Sequence, residues 1–173
     1  MALLRIVLYP EPVLLTIGKP VAENEFNEDL CEFVGNMFDT MYKARGVGLA
    51  APQVGVSKRL FVMDVPTENS ESNKTAMINP EIVVQEGEQI GDEGCLSFPG
   101  IYTKVKRQMR AVVRYQDVFG DWQELDGSDL TARCILHETD HCDGIVFLHR
   151  MSVLKREMAK RKIKKLQKTG KWE

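Results

Sequence analysis

The chain has 173 residues, 43% hydrophobic and 28% charged, with 23 Lys/Arg against 25 Asp/Glu. That balance is ordinary for a soluble globular protein, and the length suits a single domain, residues 1–173, with a sizeable core. No apolar run approaches the ~20 residues of a membrane span, and Met1–Pro10 has neither the basic start nor the small-residue cleavage site of a secretory signal. Four cysteines in a chain too large to need disulfide staples point to a reducing compartment.

Glu11 to Glu25 reads as extended, broken by Pro12 and Pro20. Asn27 is placed to cap a helix over 27–43, where Leu30, Phe33, Val34, Met37, Phe38 and Met41 recur at helical spacing. That stripe is core filling. Gly46–Gly55 is small, apolar and flexible, a tight connection between helix and strand with one amide, Gln53. Lys58–Val65 reads as a buried strand, Pro66–Thr75 as a polar loop and Met77–Val84 as a second strand. Glu86–Ile90 is a turn and short strand that leads into the Gly-rich stretch Gly91–Gly100, which contains Cys95. Tyr102–Arg107 and Met109–Asp117 alternate as paired strands do, and Trp122–Leu125 returns after the Phe119–Asp121 turn. Short antiparallel strands around one central helix make an α+β fold.

That helix carries the chemistry. Asp129 is placed to cap it, and it runs through His137-Glu138-Thr139-Asp140-His141. Two histidines four apart lie on nearly the same face of a helix at ~3.6 residues per turn, so both imidazoles can hold one metal ion. The glutamate between them can reach a water on that ion. A catalytic site of this kind needs a third protein ligand. The metzincin spacing fails, because Gly144 fits but Phe147 stands where the third histidine belongs and His149 lies two residues beyond. Glu157, the downstream glutamate of a thermolysin-like arrangement, sits in a basic surface helix. Cys134, one turn before His137, reads as a small buried residue behind the site, and Cys142 points about 100° away from His141. Cys95 lies outside the helix, where glycines let the backbone approach a bound group and present a thiolate.

Three motifs, GVGLAAPQ at 46–53, EGCLS at 93–97 and HETDH at 137–141, occur in that order, and together they resemble the peptide deformylase family from Leu4 to about Lys165. The resemblance implies antiparallel sheets around a metal-bearing helix, flanked by an N-terminal and a C-terminal helix. It implies that Cys95, His137 and His141 bind one divalent metal, with Fe²⁺ favoured and Zn²⁺, Ni²⁺ or Co²⁺ accepted. Glu138 would be the catalytic acid and base, and Gln53 with the Leu96 backbone N–H would stabilise the oxyanion. The substrates implied are nascent polypeptides that begin with N-formylmethionine, and the product is formate. Val47, Leu130 and Cys134 match pocket-lining positions, as does His137. Val47, Gly48 and the strand from Gly94 would pair with the substrate backbone, and Glu93 with Arg107 would form a stabilising ion pair. Leu136, Cys142 and Tyr102 depart from the usual Gln, Leu and Arg, and Phe98–Tyr102 looks more like the organellar branch. The compartment implied is the cytoplasm, or the stroma or matrix of an organelle.

Two rival readings carry less. A metallopeptidase that cuts internal amides lacks its third ligand here. A non-catalytic relative is expected to have lost Glu138 or Gln53, and both are present. The C-terminal stretch adds a separate feature. Nine of the 23 Lys/Arg fall in 155–173 beside two Glu, so residues 1–154 carry a net −9 against +7 in the tail. Ser152 is placed to cap a last helix there. Such an asymmetry suits an acidic partner, and the resemblance implies ribosomal RNA contact through Lys160, Arg161, Lys164, Lys165 and Lys168.

Overall fold

A computed structural model describes residues 2–173. Helix α1 spans Glu28–Lys43, and Asn27 caps it, its Oδ1 accepting from the Leu30 N–H at 3.1 Å. Five strands form the main sheet: β1 (Gly48–Ala50), β2 (Leu60–Asp64), β3 (Lys74–Glu86), β6 (Arg110–Gln116) and β7 (Trp122–Ser128). Their order is β1-β2-β3-β6-β7, with every neighbouring pair antiparallel. A separate two-stranded hairpin pairs β4 (Gln89–Glu93) with β5 (Thr103–Arg107). Helix α2 spans Leu130–Cys142 and helix α3 spans Val153–Lys168, capped by the Ser152 side chain.

The layers follow from strand alternation, since successive side chains face opposite sides of a sheet. In β2, Leu60 and Val62 turn to α1 and meet Leu30, Val34, Met37 and Met41. Phe61 and Met63 turn to α2 and meet Ala132, Ile135 and Leu136. A third core gathers Leu14, Phe98, Val105, Phe147 and Leu148 with Ala159 and Ile163 of α3. Helix α2 lies between the sheet and this third core, so every residue from Ala132 to Cys142 is buried. Among the described residues, no helix is long and apolar enough to cross a membrane.

Several local expectations are corrected. Residues 11–25 are not simply extended; they contain 3₁₀ turns at Pro12–Leu15 and Glu23–Glu25. Pro12 opens the first, where a missing N–H costs nothing, and the Glu25 carboxylate closes the second by accepting from the Ala22 N–H. Asp129 precedes α2 but its side chain makes no cap bond. Side-chain capping needs extended backbone at that residue, whereas the reversal from β7 into α2 holds Asp129 at φ 55°. The Gly46–Gly55 stretch includes a true strand, β1, and β3 runs on through Pro80 to Glu86. It does so by bulging beside Asn79, which sits at φ 51° and bonds both the N–H and the C=O of Val21.

Candidate metal centre

The face of α2 that carries Leu130, Arg133, Cys134, His137 and Glu138 forms one wall of a cleft of about 270 Å³. Arg45–Gly48 form a second wall and Asp92–Leu96 a third, with Tyr102 at the rim. Val47, Gly48, Gly94, Leu130 and Cys134, the residues expected to meet the substrate, all line it, as do Glu93 and Tyr102. Two glycines set its width. A Cβ on Gly48 would stand 2.8 Å from Glu138 Oε1 and 2.9 Å from Cys134 Sγ, so β1 passes directly against the Glu138 carboxyl. A Cβ on Gly94 would stand 2.5 Å from the Tyr102 ring.

Cys95, His137 and His141 converge beside the cleft, each offering one donor atom within 4.8 Å of the others. Cys95 Sγ is 3.5 Å from His141 Nε2. Tetrahedral bonds of ~2.0–2.3 Å to nitrogen and sulfur would set donors roughly 3.3–3.8 Å apart, so this set fits a divalent ion with small adjustment. The ring orientation is held from behind: His137 Nδ1–H donates to Glu93 Oε1 at 3.1 Å, which leaves Nε2 for the metal side. His141 Nδ1 is buried without a protein partner.

The same burial acts on the two rings with opposite results. It disfavours the His137 cation, but the neighbouring Cys95 sulfur and the hydrogen-bonded Glu93 carboxylate outweigh it and hold that pKa well above the usual value. His141 has no such carboxylate. Burial, with His137 and Arg107 nearby, pushes it well below, so the ring is neutral, the form that can bind a metal. Burial also lifts Glu138 to about 7, the range of a working acid–base group. Its Oε1 lies 3.8 Å from His137 Nε2, and its Oε2 has no protein partner. Cys134 is pushed well above the ordinary thiol value by burial and remains neutral, in keeping with a pocket lining.

Gln53 is buried beside Cys95. Its Oε1 accepts from the Ala50 N–H at 2.9 Å, which turns Nε2 towards Cys95 Sγ at 3.4 Å and Ser97 Oγ at 3.3 Å. Among the described residues no protein acceptor takes the Leu96 N–H. Glu93 and Arg107 form the expected pair, at 3.1 and 3.2 Å. Sequence reasoning missed Asp140, which bonds Arg107 and Arg150, and Arg133, a buried cation in the cleft wall. A signal for both was available. An acid inside a helix buried all round needs a cationic partner, and Arg133 lies one turn before His137. Arg45 and Asp92 at the rim carried no comparable signal.

A buried H-E-x-x-H helix with a facing thiol and a substrate-sized cleft defines a mononuclear metal-dependent hydrolase. The comparisons narrow that class. Residues 3–157 match the family model for polypeptide deformylase. The chain is 48% identical to a peptide deformylase of Acidobacterium capsulatum, over 96% of this chain and 97% of that one. It is equally identical to one of Chromobacterium violaceum, over 97% and 98%. The crystal structure of a peptide deformylase from Legionella pneumophila superposes with a TM-score of 0.88 at 44% identity, over 98% of each chain. A plant peptide deformylase superposes with the same TM-score at 37% identity, over 96% of this chain and 90% of that one. The chain belongs to the polypeptide deformylase family, metal-dependent hydrolases that remove the N-formyl group from the N-formylmethionine of nascent peptides.

Proposed function

We propose that this chain deformylates nascent peptides with one divalent ion held by Cys95, His137 and His141, Glu138 as acid and base, and Gln53 with the Leu96 N–H as oxyanion donors. The observation that supports it most is the grouping of the three donor atoms within 4.8 Å, with the Glu138 carboxyl beside His137. When bound, such an ion lowers the pKa of a water and polarises the formyl oxygen. Glu138 takes the proton of the attacking water. The Gln53 amide and the Leu96 N–H donate to the oxygen as it gains charge. Glu138 then returns its proton to the departing amine, leaving formate and a free N-terminus.

Val47, Leu130 and the neutral Cys134 thiol receive the methionine side chain. The backbones of Val47, Gly48 and Gly94 pair with the extended peptide by strand addition, and Tyr102 covers the pocket mouth. Glu93 does not touch the peptide in this reading; it orients His137. A formyl carbon bears only hydrogen, so a cleft narrowed by Gly48 and Glu138 admits it and rejects larger acyl groups. Ferrous iron is the ion proposed, although the donor set accepts Zn²⁺, Ni²⁺ or Co²⁺ as well. The enzyme would work in the cytoplasm, with α3 docking on ribosomal RNA through Lys160, Arg161, Lys164, Lys165 and Lys168. Reversing those five charges should abolish co-sedimentation with ribosomes at low salt and leave formate release unchanged.

The decisive test is formate release from a formyl-Met peptide by anaerobic, ferrous-loaded protein, with the Glu138→Ala variant alongside. Release by the wild type, lost in the variant while its metal content is unchanged, supports the reading. No release from the loaded wild type would overturn it.

A further inference from the structure

Five side chains run from the metal centre to the surface with their charges in alternation. His137 Nδ1–H donates to Glu93. Arg107 grips that carboxylate at 3.1 and 3.2 Å, and with its remaining nitrogen donates to Asp140 Oδ2 at 2.6 Å. Arg150 closes the chain with two bonds to the same carboxylate, Nε to Oδ2 at 3.0 Å and Nη2 to Oδ1 at 2.9 Å. Glu93, Arg107 and Asp140 are buried, and the Arg150 side chain is 46% exposed. Arg150 ends the 3₁₀ turn Phe147–Arg150, three residues before α3 begins.

Asp140 is the informative member, because it belongs to α2 itself, three residues after His137 and one before His141. Arg107 ties it to the β4–β5 hairpin and Arg150 ties it to the chain leading into α3. Two anchors on one side chain, from opposite directions along the sequence, oppose any roll of α2 about its axis. A roll would swing both histidines away from Cys95, which sits on a separate loop. Without Arg150, Asp140 would rest on one nitrogen of Arg107 alone, the guanidinium that also grips Glu93. The hold on His137 would loosen at its source.

We propose that Arg150, exposed and remote from the cleft, is a positioning residue that fixes the two histidine ligands through Asp140, Arg107 and Glu93. The proposal rests on the reading that Cys95, His137 and His141 hold the ion. It implies that the metal centre is sensitive to what happens at the root of α3.

The test is the rate at which zinc-loaded protein gives up its ion to a chromogenic chelator. Arg150→Ala should release zinc roughly ten-fold faster, within the range by which partners of metal ligands tune affinity. The melting temperature of its metal-free form should stay close to wild type, since the side chain is half exposed. Arg150→Lys keeps the charge but loses the two-pronged geometry, so its release rate should fall between those of Arg150→Ala and wild type. Arg110→Ala, which removes an exposed pairing with Glu86 and Asp126 outside this chain of contacts, should leave the rate unchanged. A release rate in Arg150→Ala equal to that of wild type or of Arg110→Ala would overturn the clamp and leave the ligand reading standing. Failure of the wild type to take up one zinc per chain would overturn both.

Discussion

Helices α2 and α3 lie close in the chain and differ in almost everything that matters for function. In α2, eleven consecutive residues are buried, four of them ionisable groups of the motif: His137, Glu138, Asp140 and His141. In α3, sixteen residues long, only Ala159 and Ile163 are buried, and all its cations but Arg156 are exposed. Burying charge is expensive unless each group has a partner. The interior of α2 answers with Glu93, Arg107 and Arg150, while Glu138 Oε2 has no protein partner among the described residues. The charges of α3 need no partner, so they are free to act at long range on an acidic surface.

That contrast sets a ladder of expected effects. The largest is at Glu138: Glu138→Ala should lower formate release by about 10³-fold, the scale of losing a general acid–base group, with the metal retained. Next is Ile135→Ala, which empties space at the contact between α2 and the sheet. It should cost about 2–5 kcal/mol, measured by urea unfolding, and a smaller loss would mean that α2 is less tightly seated than its burial indicates.

The third tests the pH consequence of burial. In the metal-free protein, Glu138 titrates near 7 against an ordinary 4.5. A raised folded-state value means that its contribution to stability is complete below pH 4.5 and is lost as pH rises through 7. The loss is about 3 kcal/mol at ~1.4 kcal/mol per pKa unit. Glu138→Gln should remove that part of the slope; identical pH–stability curves for the two proteins would contradict the buried carboxyl. Fourth, Gly48→Ala should cut turnover roughly 10- to 100-fold by displacing the Glu138 carboxyl while zinc binding persists. At the bottom of the ladder, Lys164→Ala should change stability by less than about 0.5 kcal/mol.

The legible parts of this protein were those written in local spacing. His137 and His141 four apart, the Asn27 cap, the α1 stripe and the alternating strands 103–107 and 110–116 each depend on residues within a turn or two of one another. Cys95 could be named as a candidate from its Gly-rich loop, but its selection rested on resemblance across three motifs. The misreadings fell where distant segments meet. β3 continues past Pro80 because Asn79 bonds Val21, fifty-eight residues away. Asp129 is held at positive φ by the junction of β7 and α2, which its own neighbours do not announce.

The sequence by itself determined the α+β pattern, the two helix-borne histidines with the glutamate between them, and the opposite electrostatic characters of the body and the tail. These follow from periodicity and from charge counted along the chain. Only the tertiary structure decided that Cys95 stands 3.5 Å from His141, that Gly48 is required by the closeness of β1 to Glu138, and that Asp140 is gripped from two sides. Each of these is a contact between segments brought together by packing, and its energy depends on a burial that no local pattern encodes.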